Sequence, residues 1–217
     1  SDIRLPKIQL ELLAQLKSVG KPIIVTLFNG RPLDIHELEV AGIVEAWFPG
    51  TEGGAALANI LMGAVNPSAK LSMSFPYNVG QVPVYYNPDN TGRPELGRSV
   101  DEKYVSKYLD SPNEALYPFG FGLSYTSFSY SDMTLSATEL KDSETLTVEV
   151  TVKNSGKYAG KEIVQLYLRD IVGEVVRPVK ELKGYQKIEL AAGTEKTVSF
   201  TVTEEQLRYI HQDYSFS

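Results

Sequence analysis

Cysteine is absent from the 217 residues of this chain, which excludes disulfides, thiolate metal sites and a cysteine nucleophile. Histidine is nearly absent: His36 and His211 stand far apart. A histidine-rich metal centre is therefore not expected, and a Ser-His-Asp triad would have to recruit one of these two. Each reads as an ordinary surface or packing residue. An excess of positive charge is also missing. Lys and Arg number 21 against 27 Asp and Glu, for a net charge of −6. No basic cluster occurs, so a nucleic-acid partner is not expected. No apolar run approaches the ~18–20 residues of a transmembrane helix, and the start lacks a signal-peptide pattern. A membrane partner is not expected either. Composition does not fix the compartment; a cytoplasmic location is favoured over a secreted or periplasmic one.

What is present is globular: 42% hydrophobic and 22% charged residues, in a length that suits one large domain or two modest ones. Residues Leu5 to Val19 read as an amphipathic helix, with Leu5, Ile8, Leu12, Leu16 and Val19 on one stripe at spacings of three and four. Pro6 suits its first turn and Gly20 its end. Pro22 to Phe28 is a near-continuous, β-branched run, as in a strand buried on both faces. A short helix is predicted from Leu33 to Val40, a second strand from Ile43 to Phe48, a helix from Ala55 to Met62, and a third strand from Lys70 to Phe75. The order α-β-α-β-α-β implies a parallel sheet covered by helices. Three strands would leave a sheet edge and helix faces open, so this is part of a larger α/β domain. Association or partial disorder of residues 1–75 is the expected consequence.

From Tyr77 to Leu116 periodicity fades, and Pro83, Pro88, Pro94 and Pro112 punctuate the chain. A loop of this length is functional or disordered, and Tyr85, Tyr86, Tyr104 and Tyr108 argue against disorder. The stretch Tyr117 to Phe128 (YPFGFGLSYTSF) then marks a change of character. Its rings and glycines follow no helical stripe; it is either a packed join between two domains or an aromatic edge strand. Beyond it come strand signals at Leu146–Val152, Ile163–Leu168, Lys180–Leu190 and Thr197–Val202, with a turn at Ala192-Gly193. Six or seven short strands indicate a β-sandwich of immunoglobulin or fibronectin type III kind, without the disulfide of antibody domains and with no clear closing strand.

Candidates for chemistry are few. Pro49 to Gly54 is a Gly-rich turn between strand and helix, where backbone N–H groups can hold an anion. Its spacing fits neither the P-loop nor the dinucleotide fingerprint, Glu52 would repel phosphate, and close packing is the simpler reading. Glu45 could be partly buried, which would raise its pKa toward that of a general acid; an ion pair or solvation at a strand end is the ordinary alternative. The loop from Gln81 to Arg98 sets tyrosines beside Arg93, which could stack on a sugar and bond its hydroxyls, or could tie the loop down.

Several segments together resemble the C-terminal part of family 3 glycoside hydrolases, of the β-glucosidase and β-xylosidase type. They are GKPIIV from Gly20, GRPL from Gly30, EAWFPGTEGG from Glu45, NPSAKL from Asn66, QVPVYYN from Gln81, TGRP from Thr91, and the stretch Tyr117 to Phe128. They span nearly the whole chain. The resemblance implies a partial α/β sandwich over residues 1–76, a loop and aromatic linker over 77–127, and a fibronectin type III-like domain over 128–217, truncated at its C-terminus. It implies a retaining mechanism with two carboxyl groups. The family's nucleophilic Asp lies on a barrel upstream, and its acid/base Glu lies just before the segment matching Ser1 to Pro6. No carboxylate here inherits either role. The resemblance also implies Arg93 and Tyr86 as substrate-binding residues, no cofactor and no metal. The implied partners are a β-glucoside or oligosaccharide, the missing barrel and first half of the sandwich, and a possible second copy in a homodimer. The competing reading is a stand-alone carbohydrate-binding or interaction module, which has no reason to carry the half-sheet before Phe75.

Overall fold

The computed structural model describes residues 2–95, 102–141 and 144–216. The chain divides into two compact units. The first gathers residues 1–64, 71–86 and 93–121; the second gathers residues 65–70, 87–92 and 122–217.

In the first unit, helix α1 (Lys7–Lys17) begins after Pro6 as N-cap and ends at Ser18. Gly20 takes a positive φ of 71°, the left-handed stop that a residue without Cβ adopts cheaply. The predicted stripe is real, but beyond Leu5, which packs against the core, it lies open: Ile8, Leu12 and Val19 are 60–70% exposed. Strands β1 (Ile24–Leu27) and β2 (Gly42–Glu45) pair in parallel, Ile24 opposite Gly42 through Leu27 opposite Glu45. Helix α2 (Gly53–Leu61) follows. The core collects on Leu27, Ile35 and Phe75, with Val25, Ile43, Trp47, Leu71 and Tyr117 packed around them.

Two expected elements are absent. Leu33 to Val40 forms a turn rather than a helix. Asp34 is held in a parallel bridge with Arg4, its N–H donating to Ile3 O at 2.9 Å, and this extended pairing is incompatible with a helical Asp34. Nor is Lys70 to Phe75 a third parallel strand. Phe75 forms an antiparallel bridge with Tyr117, and Leu71 exchanges hydrogen bonds with Phe121 and Gly120 at 2.7 Å. The aromatic-glycine stretch thus takes the backbone groups that a third strand would have offered to the sheet. Its rings continue the core as a ladder. Trp47 lies 6.0 Å from Phe75, Phe75 lies 6.5 Å edge-on to Tyr117, and Tyr117 stacks on Phe121 at 5.3 Å.

The second unit is a fibronectin type III-like β-sandwich of six strands among the described residues. One sheet centres on β5 (Thr145–Asn154). Strands β3 (Phe128–Tyr130) and β4 (Thr134–Leu135) pair along one side of β5, and β8 (Glu195–Thr203) pairs along the other. The second sheet is the antiparallel pair β6 (Gly160–Leu168) and β7 (Glu181–Leu190), with a register shift at Leu166/Tyr167. Period-two alternation sends Val148, Val152, Val198 and Val202 inward from the first sheet. They meet Val164, Leu166, Ile188 and Leu190 from the second. Each such side chain contributes roughly 1.5–3 kcal/mol by burial. A short helix α3 (Glu204–Leu207) closes β8 with a reciprocal capping box between Thr203 and Gln206.

Candidate functional site

The long loop after Pro76 is ordered by two amides. Gln81, only 2% exposed, accepts from Tyr77 N at 2.6 Å and donates to the carbonyls of Pro112 and Glu114 at 2.5 and 3.2 Å. It therefore ties the start of the loop to its end. Asn113 accepts from Tyr108 N at 3.0 Å and donates to Ser106 O at 2.9 Å and to the Glu95 carboxylate. Neither the buried Gln81 nor the half-buried Asn113 carried a local pattern in the sequence.

On this frame Tyr86 stacks on Phe119, the ring centroids 4.4 Å apart at 23°. Arg93 is exposed, with its guanidinium carbon 5.6 Å from the centroid of the Tyr104 ring and its carbonyl accepting from Ser106 N at 2.9 Å. Tyr104 is 78% exposed and has a φ of 67°, an unfavourable left-handed backbone for a bulky residue. A ring held out at that cost, with a cation over it, forms an aromatic and cationic surface of the kind that stacks on a sugar and binds its hydroxyls. Residues 96–98, at the far end of the predicted loop, lie outside the described residues.

Glu45 ends β2, at the carboxyl edge of the parallel pair, where open α/β sheets place ligands. One carboxylate oxygen accepts from Trp47 N at 2.8 Å, and Trp47 itself has a φ of 48°. The other oxygen, and Oδ1 of Asn29 just beyond β1, are buried without an aligned hydrogen-bond partner. Burial pushes the Glu45 carboxyl above its ordinary range, and the Trp47 N–H and the Asn29 side chain offset part of that. Because the folded pKa lies above the unfolded one, the burial cost is absent below the unfolded value and grows as pH rises through the folded value. Glu45→Gln is therefore expected to be more stable than wild type at pH 8 and to lose that advantage at pH 4. The gain is under about 1 kcal/mol, because the carboxyl is partly solvated. Thermal melts at both pH values check this; an equal difference at both would contradict it.

The remaining candidates are structural. At the first residue of α2, a Cβ on Gly53 would lie 2.6 Å from Pro49 Cγ in the preceding turn, so close packing accounts for the glycine. His36 lies 2.7 Å from Asp34 and His211 2.8 Å from Glu174. Among the described residues no three His, Cys, Asp or Glu side chains gather as a metal site, and no helix is long and apolar enough to cross a membrane.

Comparison with known proteins decides the lineage. Residues 1–125 match the model of the glycosyl hydrolase family 3 C-terminal domain, and residues 162–215 match that of a fibronectin type III-like domain. The chain belongs to glycosyl hydrolase family 3. It is 46% identical over its whole length to a periplasmic β-glucosidase of Salmonella typhimurium, of which it covers 28%. It is 43% identical over 98% of its length to a β-xylosidase of Formosa agariphila, of which it covers 29%. A β-glucosidase of Listeria innocua, solved in complex with isofagomine, superposes with a TM-score of 0.94 at 49% identity, covering 99% of this chain and 30% of that one. A variant of the same enzyme holds laminaribiose. This family 3 chain thus spans under a third of the length of the relatives it matches.

Proposed function

We propose that this chain is the substrate-shaping, non-catalytic C-terminal part of a retaining β-glucosidase-type hydrolase that removes β-linked sugars from glucosides and oligosaccharides. The supporting observation is full-length similarity to enzymes named β-glucosidase and β-xylosidase, of which it covers only 28–30%. Residues 1–76 carry the second half of an α/β sandwich, 77–127 a substrate-side loop and linker, and 128–217 the bulk of the fibronectin-like domain, with which residues 65–70, 87–92 and 122–127 are gathered. The open apolar stripe of α1 is the face that the missing half of that sandwich and the barrel cover. Retaining hydrolysis needs two carboxyl groups about 5–5.5 Å apart, and neither family carboxylate falls within this sequence.

Two results follow. The purified 217-residue chain is expected to give no turnover of 4-nitrophenyl β-glucoside above background; measurable turnover refutes the assignment. In the full-length enzyme, Arg93 contacts the leaving side of the sugar, with Tyr86 a lesser contact. Arg93→Ala should then raise KM for laminaribiose about tenfold, and for the aryl glucoside much less. An equal rise for both substrates counts against that role.

A further inference from the structure

The connection from β6 to β7 runs from Arg169 to Lys180. Three of its apolar side chains, Ile171, Val172 and Val176, are 83%, 87% and 66% exposed, and Val175 and Val179 are only half-buried. A loop with no fully buried apolar side chain needs another fastening, and Arg177 supplies it. The Arg177 side chain is only 14% exposed. Its Nε faces Asp170 Oδ2 at 3.3 Å, and its Nη2 donates to Glu181 Oε2 at 3.0 Å. Its guanidinium carbon sits 4.5 Å from the centroid of Tyr209, a residue of the C-terminal segment. Tyr209 is backed by the His211 ring at 4.5 Å, and its hydroxyl accepts from Glu174 N at 3.4 Å. His211 Nδ1 lies 2.8 Å from the Glu174 carboxylate. One guanidinium thus closes the loop on itself and onto the chain's end.

The next two residues extend this fastening. Pro178 forms an antiparallel bridge with Asp89, and Val179 N donates to Pro88 O at 3.0 Å. Proline fixes its own φ, so the bridge follows the arginine rigidly. Residues 87–92 are gathered with the sandwich, and Arg93 is the next residue in sequence. We infer that Arg177 is a positioning residue for the Arg93 loop: it fixes Pro178 and Val179, which hold Pro88 and Asp89, the backbone from which Arg93 emerges. The anchor stands on geometry alone. Its consequence for substrate rests on the role proposed for Arg93. The planar fork and stacking face are specific to arginine, so lysine should restore the charge but not the geometry.

The test uses the full-length enzyme with Arg177→Met, Arg177→Lys, Arg93→Ala and the double variant Arg177→Met/Arg93→Ala. Arg177→Met should speed hydrogen exchange of the Val179 amide about tenfold or more. It should raise KM for laminaribiose several-fold while kcat changes less than about twofold, with Arg177→Lys intermediate. The double variant should be no worse than Arg93→Ala, because the two act through one contact. Unchanged Val179 exchange overturns the anchor. Faster exchange with additive KM effects overturns the positioning role. If the wild-type enzyme cleaves neither glucoside, the functional reading fails, and the exchange result alone supports or overturns the anchor. Should Arg177→Met not fold, Tyr209→Leu removes the ring beneath the guanidinium and carries the same readouts.

Discussion

Asn154→Leu is expected to destabilise the protein by about 3–4 kcal/mol, a large share of the roughly 5–15 kcal/mol that holds a domain folded. Asn154 is fully buried at the end of β5, yet it makes four hydrogen bonds. Its Oδ1 accepts from Thr126 Oγ1 at 2.7 Å and from Gly156 N at 3.1 Å. Its Nδ2 donates to Tyr158 O at 2.8 Å and Leu190 O at 3.1 Å. Leucine keeps the bulk and strands the partners. Thr126 and Leu190 are themselves buried, so water replaces those bonds poorly, at about 1–3 kcal/mol each. Asn154→Asp should fare no better, since it sets a carboxylate oxygen against two carbonyls. Urea denaturation of both variants provides the check; a loss below about 1 kcal/mol for leucine would mean the network is not holding the sandwich together.

The second large effect is expected at Lys70. Its ammonium reaches Glu162 Oε1 at 2.9 Å and Gly122 O at 2.8 Å, and Glu162, on β6, is only 7% exposed. Burial, and then the charge of Glu162, push the Tyr130 phenol above its ordinary range. Tyr130 therefore stays a neutral hydroxyl able to donate to that carboxylate, but it cannot neutralise it. Lys70→Met leaves a buried charge without its counter-ion and should cost about 3 kcal/mol. Adding Glu162→Leu should recover most of the loss, because an apolar pair of similar volume needs no desolvation of charge. A double variant as unstable as Lys70→Met alone would show that the pair contributes more than mutual neutralisation.

These two hubs show what the sequence made legible. The stripe of α1, the β-branched run of β1 and the alternation along β5 to β8 are local patterns, and each produced its element. The failures share one cause. The run from Lys70 to Phe75 has the composition of a strand, but its partner is chosen by distant residues, Tyr117 to Phe121, and the lysine at its head goes to Glu162. Leu33 to Val40 is apolar at workable spacings, but Asp34 is claimed by Ile3 and Arg4. Arg93 stood out as an arginine among loop tyrosines, but its role in binding substrate, and that of Tyr86, came from resemblance. Gln81, Arg177 and Asn154 were missed, because a buried polar hub is defined by partners far along the chain. Asn154 alone left a trace: it stands in the inward parity of Val148 and Val152, where alternation calls for a buried side chain. A polar residue at such a position needs its partners found.

The sandwich is not one continuous length of chain. Residues 65–70 and 87–92 belong to it although they lie within the α/β half of the sequence. Asn66 bonds Ser124, Tyr125 and Ala159, and a Cβ on Gly122 would strike Ala69 O at 2.4 Å. A chimera that exchanges this domain between family members at a single junction near residue 122 would therefore pair one parent's strands with another's stitching. Exchange with residues 65–70 and 87–92 carried along keeps each set of partners together, so the unit of recombination in this architecture is three segments rather than one.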